Sequence, residues 1–236
     1  MAAAAIIALS GPAPAGATDG GDDACRGAMI DPIALYGEEL RFRVLREGSP
    51  VGVHRVRFQR QGDRVIADTR FDLEVRVLFF TAYRFQYQSR DVWQDGCLVS
   101  LTAKTDDNGA VSAVAAERRN GRLHVEGPGG RFTTEPGIFP TTHWNAEVVG
   151  SDRVLNTING RIAEVDIRPM GRSRVTLSGT SADARHYRYT GDLQTEVWYD
   201  SDGRWVKMRF QAKDGSTIEY QCESCRPGPT GSPEAA

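Results

Sequence analysis

From Tyr36 onward, apolar and polar residues alternate with a period of two. Phe71, Leu73, Val75 and Val77 point one way, with Asp72, Glu74 and Arg76 opposite. Tyr83, Phe85 and Tyr87 share a face that continues to Trp93, and Arg84, Gln86 and Gln88 take the other. Near the end, Val206, Met208 and Phe210 alternate with Trp205, Lys207, Arg209 and Gln211. Ile218, Tyr220 and Cys222 then alternate with Glu219 and Gln221. One apolar and one polar face per strand is the pattern of a sheet with a single buried side.

Turn dipeptides interrupt this alternation. Asp95-Gly96, Asn108-Gly109, Asn120-Gly121, Asn159-Gly160, Asp202-Gly203 and Asp214-Gly215 are Asx-Gly pairs, which accept the positive φ of tight hairpins. Glu47-Gly48-Ser49-Pro50 and Gln61-Gly62-Asp63 add two more turn signals. Helical periodicity is scarce. The pattern predicts an all-β fold: an antiparallel meander forming a strongly curved sheet, half-barrel or barrel, with little helix. A long meander with one apolar face must curl or close. Its concave side is a natural place for a hydrophobic ligand. Phe71, Leu73, Val75, Tyr83, Phe85, Tyr87, Met208 and Phe210 are the candidate wall, although such aromatic stripes also serve as plain core.

Between Gly127 and Gly150 the alternation breaks down. Pro136 and Pro140 bracket Ile138 and Phe139, fixing the backbone and removing donors, so this stretch is no central strand. It leads into His143, Trp144 and Asn145, residue types suited to proton transfer, ring stacking and oxyanion or amide orientation. The competing reading makes Trp144 a plug for one end of the sheet, with His143 and Asn145 bonded to loop backbone. His54, His124 and His186 each stand alone within strand patterns. No nucleophile elbow, phosphate-binding glycine loop or HExxH helix occurs, so no catalytic residue is assigned and no cofactor or metal is expected.

Composition narrows the class. The chain has 236 residues, a formal charge of −2 and a pI near 6.1, which argues against a nucleic-acid partner. No apolar run is long enough for a membrane-spanning helix, so an integral membrane protein is not expected. Lys104, Lys207 and Lys213 are the only lysines; the other basic residues are arginines, able to lace a sheet surface with carboxylates. Spread along the whole chain, they mark no function in the linear sequence.

The amino terminus has the layout of an export signal. Ala2–Leu9 is small or apolar, Pro12 breaks it, and Ala15-Gly16-Ala17 resembles a cleavage site. With no Lys or Arg before the apolar run, the true start is expected upstream. The expected organisation is a signal peptide over residues 1–17, a flexible linker over 18–35, a single antiparallel β domain over 36–225 and a disordered tail over 226–236. Four cysteines, Cys25, Cys97, Cys222 and Cys225, fit an oxidising compartment. A bridge from Cys25 to the Cys222/Cys225 pair would tie the termini to the sheet. The Arg226-Pro227-Gly228-Pro229 that follows Cys225 argues against a redox CxxC at a helix start.

From Tyr36 to Cys222 the chain resembles a family of exported proteobacterial proteins known only as a domain of unknown function. The resemblance is carried by Tyr36–Val44, by Pro140-Thr141-Thr142-His143-Trp144-Asn145, by Leu155–Gly160, by Glu196–Asp200 and by Gly203-Arg204-Trp205. The layout is similar to the curved half-barrels of periplasmic carriers such as LolA and LolB, without their covering helices. The leading expectation is a periplasmic, non-enzymatic binding or carrier protein for a lipid-like ligand on the concave face. The alternatives are an enzyme using His143 with Asn145, and a structural envelope protein without a ligand. The sequence sets no oligomeric state.

Overall fold

The structure, a computed structural model, describes residue 25 and residues 30–77, 80–177 and 180–225. The expected signal peptide and the expected tail both lie outside these residues. The first element is a helical turn, α1 (Pro32–Tyr36), N-capped by Asp31, whose Oδ1 accepts from Ile33 N and Ala34 N. Among the described residues fifteen strands follow. The first eight are β1 (Glu39–Arg46), β2 (Ser49–Gln61), β3 (Arg64–Val77), β4 (Phe80–Gln94), β5 (Cys97–Asp107), β6 (Ala110–Arg119), β7 (Arg122–Gly127) and β8 (Gly130–Thr134). After the irregular segment come β9 (Phe139–Pro140), β10 (Arg153–Leu155), β11 (Ile162–Leu177), β12 (Thr180–Gly191), β13 (Thr195–Asp200), β14 (Trp205–Gln211) and β15 (Thr217–Ser224).

These strands form one curved, open sheet, ordered from edge to edge β8, β7, β6, β5, β4, β3, β2, β1, β15, β14, β13, β12, β11, β10, β9. The all-β meander expected from alternation is therefore the architecture found, with one departure: the two-residue β9 runs parallel to β10. Asp95-Gly96, Asn108-Gly109 and Asn120-Gly121 have positive φ at both residues and close consecutive hairpins. Asn159-Gly160 does something else. It belongs to the connection from β10 to β11, which spans the gap between the two sheet edges. Gly129 N donates to Asn159 O at 2.7 Å, and Ser112 Oγ donates to Ile158 O at 3.2 Å. Gly160 has φ +67°, and a Cβ there would come within 3.2 Å of Gly127 Cα, so both backbone and packing demand glycine.

The linker expectation needs correction over its last residues. Pro32–Tyr36 is helical and docked: Tyr36 is buried and stacks on Phe58, and Arg60 pairs with Asp31 at 2.8 Å. The sequence leaves the cysteine pairing open, and the structure selects one of the three pairings. Cys25 bonds to Cys97, and Cys222 bonds to Cys225. The chain before β1 runs along the end of β2, where Arg60 lies opposite Val65, Val65 opposite Trp93 and Trp93 opposite Leu98. Cys97 opens β5 at that same end, within reach of Cys25.

The interior is layered along the strands. At the end covered by α1, Phe58, Val65, Trp93 and Leu98 are buried. The middle holds Phe42, His54, Phe71, Trp205 and Tyr220, whose rings lie 4.3 to 6.2 Å from one another in successive pairs. Toward the other end, Val75, Tyr83, Phe85, Met208 and Phe210 are only half-buried. Val77 lies beyond them, and its side chain is outside the described residues.

Candidate functional site

The irregular segment carries its chemistry inward. His143 has φ +57°, an uncommon backbone for a non-glycine residue, and Trp144 follows into the centre of the fold at 1% exposure. Trp144 packs edge-on against Phe58 and Trp93 at 5.5 and 5.6 Å. Its carbonyl accepts from Tyr36 Oη at 2.7 Å, and the His143 carbonyl accepts from Tyr199 Oη at 2.9 Å. Asn145 Oδ1 accepts from Glu147 N at 3.0 Å and caps the 3-10 turn Ala146–Gly150. This is the plug arrangement.

His143 is buried between Tyr189 and Trp205, 5.6 and 5.7 Å away, and its Nδ1 has no hydrogen-bond partner. Burial lowers its pKa to about 4. A general acid or base needs a polar partner and access to substrate. His143 Nδ1 lacks such a partner, and Asn145 Oδ1 is committed to backbone. The segment is packed into the core around Trp144, and the Asn145 side-chain carbonyl oxygen serves the turn that follows it.

Three further buried polar groups lie inside the sheet; His54 stood out in the sequence only as a lone strand histidine, and Asp91 and Thr69 not at all. His54 lies among Phe42, Phe71, Trp205 and Tyr220, neither ring nitrogen has a partner, and burial together with nearby His143 lowers its pKa to about 3. Asp91 is 0% exposed, and neither carboxylate oxygen has a hydrogen-bond partner. Burial pushes its pKa up to about 7; the Ser89 hydroxyl is close enough to pull slightly the other way without a well-formed hydrogen bond. Thr69 Oγ1 is likewise buried without a partner. A signal for Asp91 was present: the stripe Tyr83, Phe85, Tyr87 and Trp93, continued at period two, places Ser89 and Asp91 on the inner face. Among the described residues, no group of three or more His, Cys, Asp or Glu is placed to hold a metal.

The predicted apolar wall divides in two. Phe71, Leu73 and Tyr87 are buried core, and Tyr87 Oη donates to Thr157 Oγ1 at 2.8 Å. Val75, Tyr83, Phe85, Met208 and Phe210 form a half-exposed mouth, with Phe85 against Phe71 and Phe210 against Tyr220 at 5.5 and 6.3 Å. At the tip of the β3–β4 hairpin Phe80 is 76% exposed. A polar bridge spans this end. Tyr83 Oη donates to Asp107 Oδ1 at 2.6 Å, and Lys213 Nζ, from the turn between β14 and β15, donates to Asp107 Oδ2 at 3.3 Å.

The outer face is laced by arginine–carboxylate pairs. Glu223 accepts from Arg41 and Arg43, Arg57 pairs with Glu39, Arg90 grips Asp68 through two nitrogens, and Glu196 accepts from Arg188 and Arg209.

A protein with this open sheet and half-exposed mouth is barrel-like, and the comparisons agree. Residues 42–223 match the Domain of unknown function (DUF6134), and the chain belongs to that family. The solved structure described as "Crystal Structure of Beta-barrel-like Protein of Domain of Unknown Function DUF1849 from Brucella abortus" is similar to it with a TM-score of 0.53. The identity is 10%, over 78% of this chain and 94% of that one. At that identity the likeness is one of fold. No curated protein matches the sequence.

Proposed function

We propose that this is an exported, periplasmic and non-enzymatic binding protein for a lipid-like ligand, which enters at the mouth lined by Val75, Tyr83, Phe85, Met208 and Phe210. The observation that carries this reading is the contrast along the interior. One end is sealed by Trp144 and buried aromatics, and the other leaves large apolar side chains half-exposed beside an Asp107–Lys213 bridge. Apolar surface facing a polar rim suits a ligand with a hydrocarbon portion and a polar head. Two disulfides are compatible with an oxidising, extracytoplasmic compartment, and among the described residues no helix is long and apolar enough to cross a membrane.

The test uses the neutral apolar fluorophore N-phenyl-1-naphthylamine. Saturable binding is expected, with affinity reduced at least tenfold in the folded double variant F85R/F210R. Absence of saturable binding, or binding indifferent to both substitutions, overturns the proposal. Release by osmotic shock from cells that make the protein natively checks the compartment.

A further inference from the structure

The arginines spread along the sequence are gathered by strand register. Arg55 on β2 and Arg70 on β3 are directly opposite each other on the outer face. Around them Arg57 lies opposite Asp68, Asp68 opposite Arg90, and Arg70 and Lys104 both lie opposite Gln88. These residues line a depression of about 530 Å³ in the outer surface. Beneath it the inward-facing residues Thr69, Ser89 and Ala103 are small, leaving little bulk to hold the sheet outward. A second depression, of about 350 Å³, is lined by Arg41, Gly52 and Asp72 and shares Arg55 and Arg70 with the first.

Neighbouring cations here are neutralised: Arg57 by Glu39, Arg90 by Asp68, Arg41 by Glu223. Arg55, Arg70 and Lys104 have no ion pair among the described residues. Asp72, two residues from Arg70 on the same face, accepts instead from Gln86 Nε2 at 3.0 Å. Like charges directly opposite in a sheet destabilise it. Two arginines paired in register and lining one depression can share a tetrahedral oxyanion, because each guanidinium offers several N–H donors in a planar fork.

We propose that Arg55 and Arg70, assisted by Lys104, form a binding site for a phosphate-type oxyanion on the outer face of β2 to β5. This site is independent of the apolar mouth. The anion neutralises the opposed pair, so its binding stabilises the fold. A free phosphate and a phospholipid headgroup share this chemistry.

Three proteins separate the outcomes: the wild type, the double variant R55Q/R70Q, and R131Q as a control whose arginine pairs with Glu126 elsewhere on the surface. With inorganic phosphate at the ionic strength of a chloride reference, wild type and R131Q are expected to gain about 2 °C or more in Tm. R55Q/R70Q is expected to gain nothing while folding normally in chloride. Flotation with phosphatidylglycerol vesicles, against phosphatidylcholine vesicles, tests the headgroup source. A phosphate-dependent rise lost in R55Q/R70Q assigns the site to free phosphate; vesicle binding lost in the same variant, without that rise, assigns it to a headgroup. If neither probe binds, or if R55Q/R70Q binds as the wild type does, the proposal fails.

Discussion

The phenol of Tyr36 holds the carbonyl of Trp144 at 2.7 Å, joining a residue of α1 to the plug 108 positions away. The same oxygen accepts from Trp205 N at 2.9 Å, so one buried hydroxyl ties the helical turn, the plug and β14 together. Burial raises the Tyr36 pKa well above the ordinary tyrosine range, so the group stays a neutral donor and acceptor.

Replacing Tyr36 with Phe leaves a buried carbonyl and a buried N–H without a partner while preserving the ring stacked on Phe58. The expected loss is about 2–3 kcal/mol. It is measured as a lowered urea midpoint at unchanged m-value.

Stability is expected to fall as the medium is acidified below pH 6.5. His54 and His143 have folded pKa values of about 3 and about 4, depressed below 6.5, so their contribution is present above pH 6.5 and is lost as pH falls. Asp91 runs the other way: its folded value of about 7 lies above the ordinary 3.8, so its contribution is present below about 4 and is lost as pH rises toward 7. Between about pH 4.5 and 6, the unfolded chain therefore binds two histidine protons where the folded one binds a single Asp91 proton. The net slope is about 1.4 kcal/mol per pH unit from these groups. Urea titrations at half-unit steps read it directly. A flat profile over this range would contradict the burial of both imidazoles.

Asn in place of Asp91 removes the ionisation while keeping the shape. At pH 8 the wild type must hold a buried carboxylate without a hydrogen bond, so D91N is expected to be more stable by a few kcal/mol, on the order of 3. At pH 4.5 the two proteins should be nearly equal. The convergence of their stability curves at low pH is the diagnostic, since a packing effect would shift both ends alike.

The two disulfides differ in what they constrain. Cys25 and Cys97 are separated by 72 residues and Cys222 and Cys225 by 3, so loop-closure entropy assigns about 4 kcal/mol to the first and about 2 to the second. Paired serine variants, C25S/C97S and C222S/C225S, compared by thermal melting, should rank in that order.

Strand identity was legible because backbone geometry imposes period two, and Asp95-Gly96, Asn108-Gly109 and Asn120-Gly121 marked their turns by conformational necessity. Which apolar residues sit at a mouth was not legible. Phe71 and Phe85 look alike in a pattern, and only the plug at the opposite end distinguishes the buried one from the half-exposed one. The placement of His143 and Asn145 was open for a related reason: their residue types suit a site or a plug alike, and direction is set by the positive φ at His143 and the bulk of Trp144. Arg55 and Arg70 could not be joined by eye, since register depends on the whole β2–β3 hairpin.

The pairing of β1 with β15 orders the assembly of the molecule in time. Leu45 meets Glu219 and Arg41 meets Ser224, contacts between the first strand and the last. Every other neighbour along β1 to β8 is a hairpin partner, able to form from nearby chain. The seam between the two halves closes only when the final strand is available, and loop-closure entropy makes it the slowest contact to reach. Until then β1 keeps a bare edge, and the protein is most vulnerable to mispairing at the very strand that leads the sheet.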